Sequence, residues 1–354
     1  MNAIDPHTDF AIRMRGVTKI FGSDPQGALE LLRGGKSKTE VQAETDHVVG
    51  LDNVSLDIAR GEIFVVMGLS GSGKSTLIRH VNRLIDPTAG EIVVEGHDVM
   101  KMSLPELRTY RRNTVAMVFQ KFGLLPHRSV IDNVAYGLEV KGVPKAERLE
   151  RAAKWIETVG LSGYEQSRPR QLSGGQQQRV GLARALALDT DIILMDEAFS
   201  ALDPLIRSGM QDQLMELQKS LGKTILFITH DFDEALKIAD RIAVLKDGAV
   251  QQEGRPQDIV LKPANEHIEE FVREVNKARV IQLRTIMERG NFDRCAQAVP
   301  ASTRCEEILP YFAEHQWIGV LDDEGRQIGR VTADRIIRAL ARYTPGVSEG
   351  NGGS

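Results

Sequence analysis

The chain has 354 residues, 42% hydrophobic and 27% charged, with a formal net charge of −4. That composition is ordinary for a soluble globular protein, and the length suits one large domain or two unequal ones that close their cores without disulfides or structural metal. There is no global basic field to point to nucleic acid, and no apolar run approaches the ~18 residues of a membrane span.

The N-terminus, MNAIDPHTDF, lacks the charged start and apolar centre of a secretory signal. A strand is expected over residues 12–20, ended by Phe21-Gly22. Residues 23–47 are polar and turn-rich and read as a surface insertion. Within it a short helix is expected over 28–33, and a second one starts at Ser37, with Glu40 at the capping-box position. GEIFVVMG (61–68) is a buried-strand run that leads through a loop into a helix. GEIVVEG (90–96) and VAMVFQ (115–120) are further strands, separated by a helix from Ser103 to Arg112 that Ser103 and Glu106 cap.

Residues 121–180 change character, with helical patterns such as 145–159 broken by glycines and prolines, and predict an inserted helical subdomain. Strands return at DIILMD (191–196) and TILFITH (224–230). Continuous apolar strands alternating with helices predict an α/β fold around a parallel sheet covered on both faces. A hairpin turned at Asp247-Gly248 follows over 241–254. The domain plan is 1–264 for the main domain, a helical linker at 265–284, a small α+β module at 285–343 and a disordered tail at 344–354. In that module a helix over 304–315 precedes strands at 317–322 and 327–331 and a last helix from 333 to 342. The two cysteines, Cys295 and Cys305, match no zinc pattern and suit a reducing compartment.

Three motifs carry chemistry. The loop Gly68-Leu69-Ser70-Gly71-Ser72-Gly73-Lys74-Ser75 fits the P-loop pattern, lies after an apolar strand and opens a helix that begins with Thr76 in its first turn. Its glycines let backbone N–H groups curl around phosphate oxygens at a helix N-terminus. Lys74 is placed to reach the terminal phosphates and Ser75 to ligate Mg2+. Asp196, ending the apolar run Ile192–Met195, is the acid expected on the Mg2+ side, and Glu197 directly after it is placed to orient and deprotonate an attacking water. Ser173, Gly174, Gly175 and Gln176 open a second helix with a capping box and two bare glycines, a second phosphate-facing N-terminus. A two-chain arrangement in which each chain completes its partner's site accounts for both.

LSGGQ together with the P-loop and the Asp196 strand resembles the ATPase subunit of an ABC transporter over residues 12–260. The resemblance implies a P-loop NTPase core, ATP and Mg2+ as ligands, and a homodimer. It implies that Phe21 stacks on adenine, with core packing as the bland alternative for that ring. It implies that Gln120 senses Mg2+ and the γ-phosphate, that Ser200 to Asp203 cross the dimer interface, and that His230 is a switch contacting the γ-phosphate. More narrowly, the 23–47 insertion, GLSGSGKSTLIRHVNRLIDPTAG and MDEAFSALDPLIR resemble the ATPase subunits of importers for glycine betaine, proline betaine or choline, over 14 to about 280.

That resemblance implies transmembrane permease subunits, a substrate-binding protein as an indirect partner, no nucleic acid, and a place on the cytoplasmic face of the plasma membrane. The alternatives are a soluble ABC ATPase uncoupled from transport, or an importer ATPase for another small solute. The tail resembles a single CBS-type module. Its Thr332 and Asp334 stand two apart where that family's adenosine-contacting pattern has three, which leaves open a capping or dimerising role. A lone motif of that kind is expected to leave Trp317, Ile318, Val320 and Ile328 open to a second copy.

Overall fold

The computed structural model describes residues 10–200, 202–273, 275–290, 292 and 297–341. Two compact units divide between Arg255 and Pro256. Cys295, the residues 342–354 read as helix end and tail, and the first nine residues lie outside the described set.

The first unit is built on a six-stranded sheet. Its order is Ala249–Gly254, Arg241–Lys246, Ile63–Met67, Thr224–Thr229, Ile192–Asp196, Val115–Val118. All neighbours are parallel except the first pair, which is the hairpin anticipated at Asp247-Gly248. Every residue of Ile63–Met67, Ile192–Asp196 and Thr224–Thr229 is buried, which is why these strands read as unbroken apolar runs rather than as alternation. A second sheet is antiparallel, with strands Val48–Ala59, Phe10–Phe21, Ala89–Val94 and His97–Asp98 in that order.

The helix Lys74–Val81 lies between the two sheets. Its Leu77, Ile78 and Val81 share one apolar cluster with Met14, Leu56 and Ile92 of the antiparallel sheet and Val66, Leu194 and Ile228 of the parallel one. Burying each such side chain contributes about 1.5–3 kcal/mol, so the helix that carries the P-loop is clamped from both sides.

The insertion is a folded two-helix unit. Asp24 caps Pro25–Arg33, and Ser37 and Glu40 form the anticipated capping box on Lys38–Thr45. Ala28, Leu29 and Val41 pack on Ile20 of the antiparallel sheet. His47 Nε2 accepts from the Asp24 N–H at 2.8 Å, and its Nδ1 lies 2.6 Å from Thr45 O. The helical subdomain leaves the sheet after Val118 and returns at Ile192, with helices Val130–Val140, Lys145–Thr158 and Gly174–Ala187. The last of these is the long helix expected after Ser173, and it carries the subdomain past its expected bound at 180, because Leu182, Ala183, Leu186 and Ala187 continue its buried face.

The second unit begins earlier than the expected module. Residues 265–284, read as a helical linker, hold the separate helices Glu266–Arg273 and Leu283–Ile286. Ala278, Ile281 and Leu283 are buried with Ile318, Val320, Val331 and Ile336 in one core, so this stretch is part of the unit and not a linker. Its four strands run in the order Glu288–Arg289, Gln327–Thr332, Trp317–Leu321, Ala298–Pro300. The helix expected over 304–315 is α-helical only at Cys305–Ile308 and continues as a 3-10 turn, Leu309–Ala313. Pro310 stands where an α-helix would need its N–H and where its ring would strike the preceding turn. Ile318 and Val320, expected to face a second copy, are fully buried against this unit's own residues. Cys305 is buried too, and burial pushes its thiol up to about 12.

Candidate active site

The loop after Ile63–Met67 turns through Gly71 (φ 81°) and Gly73 (φ 101°), in the left-handed region that favours glycine. A Cβ on Gly73 would stand 2.5 Å from Gly50 O, so the loop lies hard against the antiparallel sheet. Lys74 is almost wholly buried, and its ammonium donates to Gly68 O at 2.8 Å and Leu69 O at 2.9 Å. Burial lowers its pKa below the ordinary lysine value, while Glu197 and Asp196 pull the other way. Ser70 and Gly71 are exposed at the loop's crest, and Thr76 is half-buried. Ser72 Oγ is buried without a hydrogen-bond partner. An orphaned hydroxyl beside a coil of backbone N–H groups fits an anionic ligand that supplies the missing bond.

Asp196 ends its strand 2% exposed and accepts from Ser75 Oγ at 2.7 Å, with Arg79 Nη2 at 3.5 Å. The two oxygens expected on Mg2+ therefore meet. Among the described residues no group of three His, Cys, Asp or Glu could cage a metal alone. One hydroxyl and one carboxylate are a donor set that fits Mg2+, which takes one or two protein oxygens and completes its shell with water and phosphate.

Glu197 is where the expected residues converge. Its Oε2 accepts from Gln120 Nε2 at 2.8 Å and lies 3.4 Å from His230 Nδ1, and its Oε1 lies 3.8 Å from Lys74 Nζ. The residue itself holds φ 46°, an uncommon conformation for a side chain of this size, and its N–H donates to Ile228 O at 3.0 Å. The parallel sheet explains the convergence. Gln120 follows Val115–Val118, Glu197 follows Ile192–Asp196 and His230 follows Thr224–Thr229, so neighbouring parallel strands deliver all three to one edge of the sheet.

Phe21 ends its strand 41% exposed, so the core-packing alternative does not hold. Its ring lies 5.1 Å from Lys19 Nζ. Ser200 Oγ donates to Glu197 O at 3.0 Å, and Asp203 caps the helix Pro204–Leu221; Ala201 is outside the described residues. Ser173 Oγ accepts from Gln176 N at 3.3 Å while Gln176 Oε1 accepts from Ser173 N at 2.9 Å. Gly174 and Gly175 form the first turn of Gly174–Ala187, and a Cβ on Gly175 would stand 3.0 Å from Ile206. Among the described residues, Ser173 and Gln176 bond to each other and not to the Lys74–Glu197 cluster.

The structure also brings in residues that the motifs did not name. Arg207 Nη1 pairs with Asp231 Oδ2 at 2.8 Å and Nη2 donates to Leu202 O at 3.1 Å, tying the segment before Asp203 to the segment after His230. Arg207 is the last residue of MDEAFSALDPLIR, a stretch that gave it no role of its own. Separately, a groove of about 390 Å3 runs between the end of Val115–Val118 and the helical subdomain, lined by Leu84, Phe119, Leu125, Tyr136, Val140 and Leu188. Leu84, Phe119, Tyr136 and Val140 are large apolar side chains left exposed there. Among the described residues no helix is long and apolar enough to cross a membrane.

A family profile described as ABC transporter matches residues 51–200. The glycine betaine transport ATP-binding protein OpuAA of Bacillus subtilis is 53% identical over 279 residues, 79% of this chain and 67% of its own. The trimethylamine N-oxide transport system ATP-binding protein TmoW of Ruegeria pomeroyi is 49% identical over 325 residues, covering 89% and 95%. The glycine betaine/proline betaine transport system ATP-binding protein ProV of Escherichia coli is 46% identical over 331 residues, covering 94% and 83%. Among solved structures, a dimeric ATP-binding cassette in a post-hydrolysis state, bound to ADP and Pi, aligns with a TM-score of 0.59 at 34% identity, over 69% of this chain and 98% of that one.

Proposed function

This chain belongs to the ABC transporter ATP-binding proteins, and from that premise we propose that its ATPase activity energises an importer for quaternary-amine or related methylamine osmolytes. The observation that carries the catalytic part is the meeting of Gln120, His230 and Lys74 on the carboxylate of Glu197.

Lys74 holds the loop carbonyls of Gly68 and Leu69 until the terminal phosphates of ATP take its ammonium. Backbone N–H groups of the loop and the hydroxyl of Ser72 bind phosphate oxygens. Phe21 offers its exposed ring to the adenine. Ser75 and Asp196 would hold Mg2+, which when bound would supply positive charge beside the phosphate oxygens. Glu197 accepts the proton of the attacking water, Gln120 aims that carboxylate, and His230 faces the γ-phosphate. Ser173, Gly174, Gly175, Gln176 and Asp203 complete the partner chain's site; among the described residues the side chains of Ser173, Gln176 and Asp203 bond within their own helix starts and not to the Lys74–Glu197 cluster. The ATPase unit works as a homodimer.

Exposed apolar groups around Tyr136 and Val140 suit an apolar helix of a transmembrane permease, which would hold the subunit at the cytoplasmic face of the membrane. A binding protein then acts only through the permease. An ATPase free of any permease would have no use for that apolar groove. The test is uptake of labelled glycine betaine in cells that lack their own importers and express this chain with its permease and binding protein. Uptake that persists unchanged with Glu197→Gln refutes the energising role, and transport of another solute alone refutes the substrate class.

A further inference from the structure

Lys38 of the 23–47 insertion bonds to the turn that backs the P-loop, a role the sequence motifs do not give it. Lys38 is the first residue of Lys38–Thr45, a helix fixed at its start by the Ser37–Glu40 capping box and in the core by fully buried Val41. Its ammonium donates to the backbone carbonyl of Asp247 and stands 4.0 Å from the Asp52 carboxylate. Burial lowers the Lys38 pKa, with Asp52 and Asp247 opposing it.

Asp247 (φ 49°) and Gly248 (φ 73°) form the left-handed turn of the edge hairpin. The N–H of Gly248 donates to Ser72 O at 2.9 Å, and Gly248 O accepts from the N–H of Asp52 at 2.9 Å. A Cβ on Gly248 would come within 2.6 Å of Gly50 O and 2.8 Å of Lys38 Nζ, so the turn is wedged between the insertion and the antiparallel sheet. A continuous path therefore runs from Lys38 to Asp247, through the turn to Gly248, and on to the backbone of Ser72. Ser72 is the P-loop residue whose hydroxyl has no partner.

We propose that Lys38 is a positioning residue for the nucleotide site: by holding the Asp247–Gly248 turn it sets the height of the P-loop backbone at Ser72 and so the affinity for the ATP phosphates. This rests on the reading of residues 68–75 as the phosphate-binding loop. Hydrogen bonds from a charged donor are the stronger kind, and the Lys38 side chain that makes this one to an exposed turn is itself only 24% exposed, so losing it frees the turn.

The full-length chain is tested as Lys38→Met and Lys38→Arg, with Mg-ATP Kd by calorimetry, KM and kcat for ATP, and melting temperature. Lys38→Met is expected to raise Kd and KM by about fivefold or more, with kcat at saturating ATP changed by less than about twofold. Lys38→Arg, which keeps a charged donor, is expected to recover most of the loss. A purely structural role would lower the active fraction and the melting temperature while leaving KM alone. A Lys38→Met Kd within about twofold of wild type overturns the proposal, as does a Lys38→Arg variant as weak as Lys38→Met. If Lys38→Met does not fold, Lys38→Gln takes the same measurements. Lys74→Ala, run alongside, separates the two readings. If it binds Mg-ATP like wild type, the P-loop reading fails and the proposal with it. If it is weak while Lys38→Met is normal, only the proposal fails.

Discussion

Replacing Glu197 by Gln keeps the size and the left-handed backbone of a residue whose side chain is 15% exposed, and removes one charge and one proton acceptor. That charge lies 3.8 Å from the Lys74 ammonium, worth about 4 kcal/mol at an effective dielectric near 20. Removing it frees Lys74 for phosphate and takes away a negative neighbour of the γ-phosphate, so Mg-ATP affinity should hold or tighten. The bond from Gln120 Nε2, 2.8 Å in the wild type, can persist to the amide oxygen, so the local geometry is retained. What is lost is the base, and losing a general base typically costs 10²–10⁴-fold, or about 2.7–5.5 kcal/mol of barrier. Single-turnover hydrolysis with saturating Mg-ATP, paired with calorimetric Kd, measures both halves. Turnover within about threefold of wild type would remove Glu197 from the role, and an affinity loss of tenfold would refute the electrostatic argument.

Ser173→Arg should abolish turnover while leaving Mg-ATP binding to the monomer intact, because Ser173 does not bond to its own chain's Lys74 cluster; equal losses of both would place the signature in cis. Val140→Glu puts a charge in the apolar groove and should weaken co-purification with the permease without altering the ATPase activity of the isolated subunit; unchanged co-purification would move the docking surface elsewhere. Glu234 is buried, bonded by Gln211 Nε2 at 3.0 Å, and burial raises its pKa above 4.5 against bonds from Thr229 and Gln211. For an acid raised on folding, the contribution to stability is full below the unfolded pKa and is lost as pH rises through the folded one. Glu234→Gln, neutral throughout, should therefore melt higher than wild type at pH 8 and equally near pH 4; a deficit that is the same at both pH values would contradict this.

The chemistry of the site was legible in the sequence because its groups are carried by local patterns. A glycine-rich loop after an apolar strand, an apolar run ending in Asp196-Glu197, and a Ser-Gly-Gly-Gln helix start each impose their geometry within a few residues. The parallel sheet was legible for the same reason, since strands covered on both faces are continuously apolar. The tertiary structure decided what depends on residues far apart in the chain. It paired Phe10–Phe21 with Val48–Ala59 across the insertion and set that antiparallel sheet over the P-loop helix. It moved the domain division ahead of the expected linker, because burial of Ala278, Ile281 and Leu283 depends on strands some forty residues downstream. It buried Ile318 and Val320 of the tail in their own unit's core and left Trp317 and Ile328 half-buried. Lys38 and Arg207 acquire their roles in the same way: each is an ordinary charged residue in an ordinary helix, and only the fold brings Lys38 to the carbonyl of Asp247 and Arg207 to the carboxylate of Asp231.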